Sequence, residues 1–332
     1  FVVCLCPPSF PFQQQTTNQT LSSPWPLFTP TYKMGAKVSV KIRAMAEKGD
    51  AEGLKKMVSK SSKITAEVLD SPGSDGSTAF LLAAKNNHAD VVKLLLEHGC
   101  NPYCKDMCEE SGVTYAATEG HINCLATMKE SGKVDFNHNP LPLIAVTQAG
   151  NVDMAKWLIE NGADPSQLSD TGEGALVHAV VKKNYDLMKL FIDNKVNLDT
   201  GTIVPHARFP LQAAVSRLYM DKKAMIMLVD AGANINLADA EEQWTVLHQA
   251  VSDGSVRVIG YLMENGADPT LKNKNGKTPH DIANEMFDEK NIIHAQLSGE
   301  VVDMRQETKV WESVNQQEGG FGDGGQAGEH FA

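Results

Sequence analysis

The sequence predicts an all-α fold built from a repeated helix pair, and three observations carry that prediction. One turn recurs: Gly99-Cys100-Asn101-Pro102, Gly162-Ala163-Asp164-Pro165 and Gly266-Ala267-Asp268-Pro269, with Gly132-Lys133-Val134-Asp135 and Gly232-Ala233-Asn234-Ile235 as looser copies. From Gly99 to Gly266 there are 167 residues in five steps, about 33 per step, the period of a helical repeat. Each such Gly closes an amphipathic stretch, as in Val91–His98 and Met154–Asn161, the pattern of a helix with a left-handed glycine stop. About twenty residues earlier stands a second apolar stretch holding small residues: Phe80–Ala84, Leu143–Val146, Leu211–Val215 and Leu247–Val251. Alanines there let a neighbouring helix approach closely, and leucines fill the layer between units. A lone pair has nothing to bury its apolar face against except the next pair.

Taken in chain order, the texture changes twice. Residues 1–34 read as a disordered or untranslated leader: Lys33 is the only charged residue before Met34, and Pro7, Pro8, Pro11, Pro24, Pro26 and Pro30 interrupt any helix. Phe1–Cys6 is too short for a signal-peptide core. Residues 35–298 hold the repeats. Helix starts are marked by Thr78, Thr245 and Thr278 as N-caps and by Pro279 in a first turn, where its missing N–H costs nothing. Residues 299–332 read as a disordered, Gly-rich acidic tail that cannot repay its ordering entropy. Gly320, Gly322 and Gly325 match a dinucleotide-binding spacing, but no strand leads in and no helix follows, so no cofactor is expected.

Asn275-Gly276-Lys277-Thr278-Pro279 and Thr245-Val246-Leu247-His248-Gln249-Ala250 resemble the Gly-x-Thr-Pro-Leu-His-x-Ala signature of the ankyrin repeat family. The signature leucine position recurs at Ile42, Phe80, Val113, Leu143, Leu176, Leu211 and Leu247, with a truncated unit from Gly276. The resemblance covers roughly residues 37–298 in about eight units, the outer ones acting as caps. It implies an ankyrin-repeat solenoid of stacked antiparallel helix pairs with β-hairpin-like loops, binding another protein on its concave side. It implies that His248 ties one repeat's turn by hydrogen bonds. It also implies where contacts lie: Tyr103, Lys105, Phe136, His138, Gln167 and Leu237 on hairpin tips, and Lys85, Asn86, Glu119, Gln148, Arg217 and Asp253 on inner helices. Tyr103 and Arg217 rank first, because aromatics and Arg carry most interface energy.

Two departures from the pattern stand out. Lys195 occupies a stop-glycine position, where a left-handed backbone costs a non-glycine residue roughly 1 kcal/mol, so that unit is expected to distort or fray. The segments 200–208 and around Tyr219–Asp221 carry insertions, which sit on loops.

Composition narrows the function. A chain of 332 residues with net charge −11 and 42% hydrophobic residues can bury a core but disfavours nucleic acid, which needs clustered Lys and Arg. No apolar run is long enough to span a bilayer. Six cysteines, unevenly placed, suggest a reducing compartment and a cytoplasmic protein. Paired zinc-binding histidines around a Glu, a Gly-x-Ser-x-Gly elbow and a phosphate loop are all absent, so no catalytic residue is assigned. His98, Cys100, Cys104 and Cys108, with His121 and Cys124 a helix away, have zinc-type chemistry, yet the three-residue gaps are wider than a zinc knuckle and no metal is assigned. Met34-Gly35-Ala36-Lys37-Val38-Ser39 fits the N-myristoylation pattern if translation starts at Met34, which marks Gly35 as a lipidation site beside Lys37, Lys41 and Arg43. The expectation is thus a monomeric, non-enzymatic protein-binding scaffold, weakly membrane-tethered. Its rivals are an inhibitory subunit of an enzyme or channel and a Cys/His metal- or redox-sensing module.

Overall fold

The protein is described by a computed structural model covering residues 32–61, 64–200, 209–216, 221–287 and 292–299. The expected leader up to residue 31, the tail beyond Gly299, the insertion at 201–208, the start of the one at 219–221 and Arg217 lie outside these described residues. The described chain divides into two compact units, one ending at Asn234 and one starting at Ile235.

The first unit holds α1 (Tyr32–Lys48), α2 (Ala51–Lys60), α3 (Ala66–Leu69), α4 (Ala79–Lys85), α5 (Ala89–Glu97), α6 (Gly112–Thr118), α7 (Ile122–Glu130), α8 (Pro142–Ala149), α9 (Val152–Glu160), α10 (Ala175–Val181), α11 (Tyr185–Asp193), α12 (Pro210–Val215) and α13 (Lys222–Asp230). The second holds α14 (Val246–Ser252), α15 (Val256–Glu264), α16 (Pro279–Met286) and α17 (Ile292–Leu297). Helix α1 begins at Tyr32, so the last three residues assigned to the leader by composition are helical. Pro30 is the last residue that forbids a helix there.

Stacking follows the repeat. In the first unit α1, α4, α6, α8, α10 and α12 pack in succession as an inner layer, while α2, α5 and α7, then α9 and α11, form an outer one. In the second unit α14 packs on α16 and α15 on α17. The signature-leucine positions form the seam between pairs: Ile42, Phe80, Val113, Leu143, Leu176, Leu211 and Leu247 are all buried. Alanines allow the close approach, and at the start of α6 even a methyl group is excluded. A Cβ on Gly112 would stand 2.8 Å from Phe80 Cδ1 and 3.0 Å from the Leu81 Cα. Helix starts are capped where the sequence places them. Thr78 accepts from Leu81 N–H, Thr245 and Thr278 form capping boxes with His248 and Asp281, and Pro279 sits in the first turn.

The loops are hairpin-like without forming a sheet. Among the described residues the only bridges are Lys105 with Ser111 and Leu168 with Gly174. Asp106 N–H donates to Glu110 O at 3.0 Å, Ser169 N–H to Glu173 O at 2.9 Å and Asn273 N–H to Lys277 O at 2.9 Å, closing three equivalent tips.

Lys195 takes the left-handed conformation that the repeat demands, at φ +56°. The expected distortion does not follow: α11 runs its full nine residues and buries Leu187, Met188 and Phe191 completely. Packing of those three side chains outweighs a local strain of roughly 1 kcal/mol.

Candidate partner-binding surface

The candidate residues on inner helices of the first unit occupy one repeated place. Lys85 ends α4, Asn86 is its C-cap, Glu119 caps α6 and Gln148 lies in the last turn of α8. These three helices are consecutive in the inner layer, so the residues form a row along their C-terminal ends, and all four are exposed. Three of the four have a local tie. Lys85 Nζ sits 4.3 Å from the Tyr115 ring centroid, Asn86 Nδ2 donates to Leu82 O at 2.8 Å, and the Gln148 amide nitrogen lies 3.3 Å from His178 Nε2. In the second unit Asp253 caps α14 half-exposed and accepts from Gln249 Nε2 at 2.9 Å.

The tip residues divide more sharply. Lys105 and Gln167 are exposed, and Lys105 pairs with Glu109 at 3.4 Å. Leu237 is half-buried in the second unit. Phe136 is not a contact residue: it is 4% exposed and packs edge-on against Trp157 of α9, with ring centroids 6.0 Å apart. Following the turn at Gly132, it folds under the next pair's outer helix, the place where a large apolar ring is desolvated. Tyr103 is half-buried, stacked on exposed His138 at 3.8 Å between centroids, and its hydroxyl accepts from Asp135 N–H at 2.5 Å.

That last bond belongs to a series. Two residues beyond the Asn or Asp of each turn, a side chain reaches the equivalent backbone N–H of the following turn. Asn137 Oδ1 accepts from Asp164 N–H at 2.6 Å, Asp199 Oδ1 from Asn234 N–H at 2.8 Å and Asn236 Oδ1 from Asp268 N–H at 2.8 Å. Tyr103 fills this place with a phenol, so the highest-ranked contact candidate also clasps two repeats together. Tip backbones are linked likewise: Met107 N–H donates to Asp75 O at 3.1 Å and, in the second unit, Lys274 N–H to Glu242 O at 2.9 Å. The Asp75 carboxyl is held below its usual range chiefly by the Ser77 hydroxyl, which donates to it at 2.8 Å.

Two exposed apolar tip residues escaped the sequence reading. Met107 is 79% exposed and Leu168 37% exposed, each at its hairpin tip. Their signal is a large apolar side chain inside a polar turn, which is visible in the sequence once the tip is placed.

The cysteine and histidine group is dispersed. Cys100 and Cys124 are buried, Cys104 is half-buried and Cys108 is exposed. Burial pushes the Cys124 thiol up to about 11; the Cys100 and Cys104 thiols are also raised, by burial first and then by the Asp70 carboxylate. In this environment they are neutral thiols at physiological pH. His121 Nδ1 lies 3.0 Å from Ala84 O and His98 Nδ1 2.8 Å from Leu94 O, so both imidazoles bond to backbone carbonyls. Among the described residues no three His, Cys, Asp or Glu side chains converge to hold a metal ion.

His248 is buried and does what the repeat pattern implies. Thr245 N–H donates to its Nδ1 at 3.2 Å, which places the proton on Nε2, 3.2 Å from Lys277 O. His178 lies one residue further along its helix, since Val177 follows Leu176 where His248 follows Leu247, and was not singled out by the sequence; it is buried, with Glu173 Oε2 at 3.9 Å. Desolvation is the main cause lowering both imidazoles below their ordinary value.

No described helix is long and apolar enough to cross a membrane. Family models for ankyrin repeats in three copies match residues 42–140, 114–202 and 142–239, and a model for many copies matches 228–283. An L-asparaginase of Dirofilaria immitis is 31% identical over 160 residues, 47% of this chain and 26% of that protein. A putative palmitoyltransferase ZDHHC13 of Danio rerio is 26% identical over 215 residues, 65% of this chain and 28% of that protein. The chain therefore spans only about a quarter of the length of these relatives. A crystal structure of the ankyrin repeat domain of Bcl-3 is 20% identical, covers 73% of this chain and 92% of that one, and superposes with a TM-score of 0.42. Ankyrin repeats are in general protein-interaction modules and non-catalytic. With repeat models matching almost without interruption from residue 42 to 283, over helix pairs stacked on their signature leucines, the chain belongs to the ankyrin repeat family.

Proposed function

We propose that this chain is a non-enzymatic, cytoplasmic, monomeric scaffold that binds a partner protein through the inner-helix ends and hairpin tips of its repeats. The observation that supports it most is the row Lys85, Asn86, Glu119 and Gln148 on three consecutive inner helices, with Met107 exposed on a neighbouring tip. All five side chains are exposed, and exposed polar groups together with an exposed apolar side chain are the composition of a protein-binding surface. An inhibitory subunit of an enzyme or channel would use the same row.

The test is capture of partners by the full chain from its own cells, beside Met107→Glu and Lys85→Glu. A partner recovered by the parent chain and lost with both variants, at unchanged melting temperature, supports the reading. Partners retained equally by both variants place the binding elsewhere. Lipidation at Gly35 is a separable element of the proposal. Expression from Met34 with a myristate analogue should label the parent and not Gly35→Ala, and equal or absent labelling of the two removes it.

A further inference from the structure

We propose that the first helix pair, α1 and α2, is a docking surface for anionic phospholipid membranes, independent of any acyl group and of the protein-binding reading above. Residues 37–60 carry seven Lys and Arg against three Asp and Glu, a net +4 in a chain whose total is −11. The charge is segregated on the surface. Helix α1 turns Ile42 and Ala46 into the core and exposes Lys37, Val40, Lys41, Ala44 and Lys48 at three- and four-residue spacing, one continuous stripe, with Glu47 beside it. Helix α2 buries Leu54 and exposes Lys55, Lys56, Ser59 and Lys60, with Glu52 at its start.

These six lysines are unpaired: no ion pair among the described residues includes any of them. On the outer helices α9 and α11 lysines are matched instead, Lys156 with Glu160 and Lys189 with Asp193 one turn on. Arg43 is spent inward, donating to Ser71 O at 2.7 Å, and Asp50 is spent capping α2 by accepting from Gly53 N–H at 2.8 Å.

The composition of the stripe selects lipid over other polyanions. A nucleic-acid face offers aromatic side chains for stacking, and residues 37–60 contain none. Val40, 57% exposed between Lys37 and Lys41, can settle at headgroup depth while the lysine stems bend toward the phosphates. Each lysine held near an anionic surface strengthens binding roughly fivefold. Acidic groups elsewhere on the chain oppose this only within a Debye length of about 8 Å.

The experiment is sedimentation of the full, unacylated chain with phosphatidylcholine vesicles containing or lacking 30% phosphatidylserine. Binding is expected with phosphatidylserine only and should be lost as salt rises from 50 to 300 mM. The triple variant Lys41→Glu, Lys55→Glu, Lys56→Glu should bind at least about tenfold more weakly. A control of equal charge change, Lys93→Glu, Lys156→Glu, Lys189→Glu, should bind like the parent, and both variants should melt like it. Equal binding to the two vesicle types, equal loss in both variants, or capture by single-stranded RNA without capture by vesicles overturns the proposal. Because no partner protein is present, failure here leaves the scaffold reading standing.

Discussion

The repeat from Leu141 to Pro165 and the next, from Gly174 to Asp199, reach the same architecture from different sequences. In the first, α8 and α9 are stopped by Gly150 at φ +79° and Gly162 at φ +103°; in the second, Lys183 at φ +54° and Lys195 at φ +56° do the same work. Outer helices α9 and α11 are equally long, nine residues each, and start alike, on Asn151 and Asn184 caps. Each turn also receives a different tie from the repeat before it. Asn137 clasps Asp164 N–H at 2.6 Å, whereas Ser166 holds the corresponding place before Asn197 and no such bond joins them among the described residues. The second repeat therefore carries two strained lysines and lacks one clasp, yet its helices are intact. Stacking against neighbours sets the backbone, and local preference only adjusts its cost.

The most direct way to break this equivalence is to remove the packing. Phe191 is fully buried in α11, and Phe191→Ala should cost about 3–5 kcal/mol, read as a lower urea midpoint. If stacking holds the strained lysines in place, amide exchange at 183–199 should accelerate more than at 150–165. Uniform acceleration along the first unit would show that the lysine repeat is no weaker than its neighbour.

Relieving the strain is the converse and comes next in size. Lys183→Gly and Lys195→Gly should each stabilise by roughly 0.5–1 kcal/mol, since glycine adopts the left-handed conformation without a Cβ clash while loosening the unfolded chain somewhat. The two sites close different helices, so the gains should add. Gly162→Ala should move the other way by a similar amount, because at φ +103° an alanine is strained although open space surrounds it. A double glycine variant with an unchanged or lower midpoint would refute the strain assignment.

Only one of those lysines could be found in the sequence, for a physical reason. The outer-helix stop is followed by a fixed Gly-Ala-Asp-Pro turn, so Lys195 is conspicuous as an exception. The inner-helix stop has no such frame: Asn87, Gly120, Gly150, Lys183 and Gly254 all serve there. Thr78, Thr245, Thr278 and the seven seam positions were legible because capping and burial depend on residues three to four apart. The burial of Phe136 and the clasp made by Tyr103 were not legible because they depend on partners 21 and 32 residues on, Trp157 and Asp135, that no local pattern names. The row at the inner-helix ends was legible only through the family resemblance. Met107 was overlooked because exposure at a tip is decided by tertiary placement.

The clasp is a smaller term still. Asn137→Ala removes the acceptor for Asp164 N–H and the amide donor to Gly162 O, 3.0 Å away, and should cost about 1 kcal/mol, moderated because these groups are reachable by water. Ser166→Asn places an amide where the preceding turn has Asn137 and should gain at most about 0.5 kcal/mol. The two effects are of opposite sign at equivalent positions, so a loss in both variants would mean that the clasp is incidental to the turn.

The smallest expected difference concerns two buried inner-helix imidazoles, His178 in the strained repeat and His248 in the second unit. Both lie below the ordinary 6.5 because burial penalises the charged ring. A lowered histidine binds fewer protons folded than unfolded. Stability is therefore complete above 6.5 and is lost as pH falls through the lowered values. The loss is small because burial is opposed at both sites, by the Glu173 carboxylate beside His178 and by the Lys277 carbonyl that accepts from His248. Lys182 adds to the lowering at His178 alone. The urea midpoint should thus decline on moving from pH 7.5 toward pH 5. His178→Gln and His248→Gln should each flatten that decline, and in His178→Gln the flattening should grow when Glu173→Gln is the background, since the opposing charge is gone. A midpoint that rises on acidification between pH 7 and 5.5, or a decline unaltered in both single variants, would mean that carboxylates and not these imidazoles govern the response, and that the two repeats do not differ in their buried titration.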